Sequence, residues 1–75
     1  MADLRQRIPT LRAARRAFET VYVLAMLERH FGNVTRAAAT AGMDRPAFHR
    51  KCRELGISPT TVRAKMRNRR KTDGR

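Results

Sequence analysis

Gly32-Asn33-Val34-Thr35-Arg36-Ala37-Ala38-Ala39-Thr40-Ala41-Gly42-Met43-Asp44-Arg45-Pro46-Ala47-Phe48-His49-Arg50-Lys51-Cys52-Arg53-Glu54-Leu55-Gly56-Ile57 decides how the chain folds. Val34 to Ala41 is rich in alanine, the strongest helix former, and Asn33 stands before it as an N-cap whose side chain accepts orphan backbone amides. Gly42 tolerates the left-handed conformation that ends a helix and turns the chain sharply. Asp44 then caps a second helix, with Arg45 and Pro46 in its first turn, where a missing amide hydrogen costs nothing. This helix is expected to run to about Leu55, where Gly56 stops it.

Within the second helix Phe48, Cys52 and Leu55 fall at i, i+4 and i+7 and form an inward stripe. Arg45, His49, Arg50 and Arg53 are left outward, an arginine face suited to a major groove. Ala37 and Ala38 are small enough to let two helices approach closely. Together these residues spell a helix-turn-helix with the second helix as its reading head.

At these residues the segment resembles the DNA-binding helix-turn-helix of the Fis family, the factor for inversion stimulation type, a module that also closes many bacterial enhancer-binding activators. The resemblance covers about Phe18 to Ile57. It rests on Leu27, Gly32-Asn33, Thr35-Arg36-Ala37-Ala38, Gly42, Arg45, the hydrophobic Phe48, Lys51, and Leu55 before Gly56. It implies an all-α fold, a small helical bundle that forms an intertwined homodimer with two recognition helices facing adjacent major grooves of bent DNA. By the same resemblance Asn33, Thr35 and Arg36 contact phosphates, Arg45 a base edge, and Arg50 and Lys51 the backbone. Asp44 stands where the factor itself has an asparagine facing DNA, and His49 replaces a basic residue, so sequence preference does not carry over. Asp44 has two readings: a helix cap, or an acceptor that meets cytosine N4 or orients Arg45.

Composition narrows the partner. In 75 residues, 18 Lys and Arg oppose 6 Asp and Glu, a net charge of +12. Such a balance favours a polyanion, because neutralising phosphates releases condensed counterions, and arginine grips phosphate or guanine in a forked geometry. Charge alone would also suit an anionic membrane surface, so the helix-turn-helix decides for duplex DNA. A chain this short buries only about 60% of its unfolded surface, and a second copy would stabilise it. The single Cys52 forms no internal disulfide, the first ten residues lack the apolar core of a signal peptide, and the apolar run Val21 to Leu27 is too short to span a bilayer. The expected setting is the cytoplasm, in association with the nucleoid.

Three segments are expected: an N-terminal arm at 1–10, a dimerisation helix plus helix-turn-helix at 11–57, and a basic, partly helical extension at 58–75. Thr10 caps a long helix starting at Leu11. On it Leu11, Ala14, Phe18, Val21, Tyr22 and Ala25 make one apolar stripe, and Leu24, Leu27 and Phe31 a second. A surface helix needs only one buried face. One stripe is therefore assigned to the helix-turn-helix and the other to a symmetry mate, with Phe18, Val21, Tyr22 and Ala25 as the dimer interface; the alternative is that both wrap into one tight core. Ser58 and Pro59 open another helix, in which Val62 and Met66 can dock. Arg63, Arg67, Arg69 and Arg70 are its candidate phosphate contacts, and the alternative is a solvated, frayed tail.

No catalytic centre, cofactor or metal site is expected. His30, His49 and Cys52 are too few and too scattered for structural zinc, and the carboxylates show no pairing suited to acid–base work. The reading is a sequence-preferring duplex DNA-binding protein, a transcriptional regulator or DNA-bending factor. Its alternatives are a small basic adaptor that binds RNA polymerase, a nuclease or another DNA-bound protein, an excised DNA-binding domain of an enhancer-binding activator, and a membrane-active peptide.

Overall fold

The computed structural model describes residues 8–73, with side chains through Asn68. The expected arm at 1–10 lies outside them apart from Ile8, Pro9 and Thr10, which are exposed. Four helices follow: α1 (Leu11–Arg29), α2 (Val34–Ala41), α3 (Arg45–Leu55) and α4 (Pro59–Asp73).

Each helix starts at a side chain suited to the task. Thr10 Oγ1 accepts from the Ala13 amide at 3.1 Å, Asn33 Oδ1 from Arg36 at 3.1 Å, Asp44 Oδ1 from Ala47 at 2.9 Å and Ser58 Oγ from Thr61 at 3.3 Å. Gly42 and Gly56 close α2 and α3 in the left-handed conformation, at φ 74° and 72°. The turn between α2 and α3 is tied by the Met43 amide donating to the Ala38 carbonyl at 2.9 Å. A cap is worth about 1 kcal/mol, so these local choices agree with the tertiary arrangement before any packing is counted.

The core joins all four helices. Val23 and Leu27 from α1, Val34, Ala37 and Ala38 from α2, Phe48, Cys52 and Leu55 from α3, and Val62 from α4 are buried together. Phe48 and Leu27 have no exposed surface. Truncating a fully buried phenylalanine costs about 3–5 kcal/mol, comparable to the whole stability of a small domain. α1 packs on the other three helices, and α2 packs on α3.

One expectation about α1 changes, and one alternative falls away. Its core face is Val23 and Leu27, with Leu24 and Met26 half-buried, whereas Phe31 lies past the helix end at φ 56° and is exposed. The helix stops at Arg29 because the Gly32 amide turns back to the Leu27 carbonyl at 2.7 Å, which carries Phe31 off the stripe. The opposite stripe of Leu11, Ala14, Phe18, Val21, Tyr22 and Ala25 is exposed along its whole length, so the two stripes do not share one core.

The C-terminal extension is a docked helix and not a frayed tail. Val62 is buried and Met66 half-buried against the core. Its backbone also passes so close to the α1–α2 turn that a Cβ on Gly32 would come within 2.5 Å of Arg63 Cβ. The helix continues through Asp73.

Candidate nucleic-acid interface

The start of α3 sets the geometry. Asp44 caps the helix, its Oδ1 taking the Ala47 amide, at the first turn from which Arg45 emerges exposed. Phe48, Cys52 and Leu55 anchor the other side of the helix in the core, which turns Arg50 and Arg53 into solvent. His49 is half-buried. It shares a cleft of about 390 Å³ with Asn33, Thr35, Arg45 and the first residues of α4, Pro59, Thr60 and Arg63.

A second cleft, about 740 Å³, continues from the first. It is lined by Arg29, His30 and Phe31 at the end of α1, Asn33 and Arg36 at the start of α2, and Arg63 and Arg67 on α4. Asn33 and Arg63 border both clefts. The structure thus gathers Asn33, Thr35, Arg36, Arg45, His49, Arg63 and Arg67 along one continuous surface, with Arg50 and Arg53 exposed on the outer side of α3. Arg69 and Arg70 lie on α4, but their side chains fall outside the described residues.

Lys51 is elsewhere. Its Nζ sits 3.2 Å from Glu19 Oε1 and 3.3 Å from Glu54 Oε1, and it borders a groove with Phe18, Glu19, Tyr22, Val23 and Met43. Its hydrogen bond to Glu19, and next that to Glu54, hold its pKa above the ordinary lysine value. Arg16 Nη1 adds a bond to the Glu54 carbonyl at 3.0 Å, near the C-terminus of α3 where a cation is favoured. These contacts fasten α3 to α1.

Charge is consequently sorted by face. The three ion pairs among the described residues, Arg15–Glu19, Lys51–Glu19 and Lys51–Glu54, all lie along the seam of α1 and α3. None of them involves Arg29, Arg36, Arg45, Arg50, Arg53, Arg63 or Arg67. A surface of arginines that take part in none of these pairs attracts a polyanion.

The remaining candidates have structural partners. His30 Nε2 meets Thr40 Oγ1 at 2.8 Å, tying the end of α1 to the end of α2. Burial raises the Cys52 thiol pKa, as expected of an inert core cysteine. No group of three or more metal-binding side chains occurs among the described residues, and no described helix is long and apolar enough to cross a membrane. Arg29 is a cleft residue that sequence reasoning passed over. The return of α4 onto the α1–α2 turn brings Arg63 and Arg67 into the cleft that it lines.

Such an arrangement defines an all-helical DNA-binding module of the helix-turn-helix class, the kind used in transcription regulation. Residues 14–54 match the model of the bacterial regulatory proteins of the Fis family, and the chain belongs to that family. It is similar to the nitrogen assimilation regulatory protein NtrX of Azorhizobium caulinodans, 47% identical over 47 residues that make up 63% of this chain and 10% of the relative. Putative NtrX-like response regulators of Rickettsia conorii and Rickettsia felis are 40% identical over 52 residues, 67% of this chain and 11% of theirs. The chain therefore spans about a tenth of the length of these curated relatives. No solved structure gives a significant match.

Proposed function

We propose that the protein is a homodimeric, sequence-preferring reader of duplex DNA that regulates transcription in the bacterial cytoplasm, at the nucleoid. The observation that carries this reading is the arginine surface around the capped start of α3, which takes part in no ion pair among the described residues. α3 enters the major groove by its N-terminal turns, and Arg45 offers its two-pronged guanidinium to guanine O6 and N7. Asn33, Thr35 and Arg36 grip phosphates at the start of α2, where backbone amides and the helix dipole also favour an anion. Arg50 and Arg53 follow the backbone on the outer side, while His49 lies at the groove edge beside α4. Lys51 acts through the fold, by holding α3 on α1.

The exposed stripe of α1 supplies the second copy. Phe18, Val21 and Tyr22 form an apolar face on a chain otherwise rich in charge, with the Phe18 and Tyr22 rings 6.2 Å apart. Packed on the same stripe of a partner, it makes a two-fold contact that sets two recognition helices for consecutive grooves. Substituting Arg45 tests the assignment of the reading head. Arg45→Ala is expected to weaken a preferred site by about 1–3 kcal/mol and random duplex much less; equal losses on both would make Arg45 a phosphate contact and remove the base-reading role.

A further inference from the structure

We propose that α4 completes a phosphate cleft that grips the DNA backbone flanking each half-site, so that the protein reads with α3 and extends its hold with α4. α4 begins at Pro59, beyond the 14–54 segment that matches the family model, and it lines the cleft with Arg63 and Arg67. The inference rests on the DNA-binding reading above.

Four arginines from three helices converge there: Arg29 from α1, Arg36 from α2, and Arg63 and Arg67 from α4. Each is exposed, and no ion pair among the described residues neutralises any of them. Arg63 and Arg67 stand four residues apart on one helix face, an arrangement of like charges that weakens the helix by itself. The helix is held nonetheless by Val62 in the core, by Met66 against it, and by the close approach of its backbone to Gly32. Its charges are thus carried on a fixed element, which spends less conformational entropy on binding than a free tail.

Position selects the ligand. Asn33 and Arg63 border both this cleft and the one containing Arg45 and His49, so a strand leaving the recognition helix over Asn33 and Arg36 runs directly between Arg29, Arg63 and Arg67. The cleft is open to solvent, so a polyanion can reach its arginines. Phosphate contacts carry no base information, and the gain is in affinity and in the length of duplex engaged.

The test uses the full chain and a selected site in two duplexes, one ending at the outer edges of the half-sites and one longer by about one helical turn on each side. The wild-type protein is expected to bind the longer duplex about tenfold more tightly, and the Arg29→Gln/Arg67→Gln variant, whose two side chains border only this cleft, to forfeit that advantage while matching wild type on the short one. On the longer duplex the variant's slope of log K against log salt should fall by about 0.9 for each phosphate it no longer neutralises. Equal weakening on both duplexes, or none on either, overturns the inference. If the double variant melts at a lower temperature, Arg67→Gln alone decides, since that side chain is exposed and outside the core. Tripolyphosphate that competes with the short duplex at constant ionic strength, in a protein indifferent to flanks, assigns the cleft to a soluble anion and also overturns it. Failure of the wild-type chain to bind any duplex would instead remove the DNA-binding reading itself.

Discussion

Gly32 and Gly42 both adopt left-handed backbone, at φ 79° and 74°, but different forces hold them there. Nothing lies within 4 Å of a Cβ built on Gly42, so alanine there meets only the backbone penalty, about 1–2 kcal/mol. At Gly32 the same penalty is joined by a collision with the Cβ, Cα and backbone nitrogen of Arg63. Gly32→Ala is therefore expected to destabilise the protein more than Gly42→Ala, by about 1 kcal/mol or more beyond the shared strain. Urea unfolding of the two variants checks the difference, and equal losses would mean that α4 does not seat against the turn. The caps were legible at this scale, because Thr10, Asn33, Asp44 and Ser58 act on amides three residues away. The role of Gly32 was not, because its crowding comes from Arg63, far later in the chain.

Among the elements, α3 could be read almost completely from its sequence and α1 only in part. The stripe of Phe48, Cys52 and Leu55 is short, strictly periodic and flanked by clear start and stop signals, so it has one way to pack. In α1 apolar residues fall on both sides from Val21 to Leu27, and periodicity could not say which side meets the core; Val23 was missed, while Phe31 was placed on a helix that had already ended. α4 was obscured by its charge, since two apolar residues among many cations permit either a tail or a docked helix. Burial of Val62 makes it docked. Val62→Ala is expected to lower stability by about 1–2 kcal/mol, and truncation after Ser58 to lower it further. Thermal unfolding followed by circular dichroism measures both, and an unchanged transition on truncation would return α4 to the status of a free arm. Lys51, which the resemblance assigns to the DNA backbone, pairs with Glu19 and Glu54, contacts that its place in the sequence did not show.

On the scale of the whole molecule, the apolar stripe of α1 stands exposed among the described residues. Phe18 is 69% and Val21 68% exposed, on the side of the helix opposite Val23 and Leu27. Val21→Asp is expected to shift a dimer to monomer in sedimentation and to weaken DNA binding with it, because two linked recognition helices lose their shared affinity when separated. A monomeric wild-type chain that binds DNA as tightly as any would contradict this. The most direct measurement of the central claim is selection of bound sequences from random duplexes. The expected product is an inverted pair of half-sites whose centres lie about one helical turn apart, roughly 34–36 Å, bound by two copies of the chain. Recovery of no preferred sequence, or of a lone half-site saturated by one copy, would contradict the account.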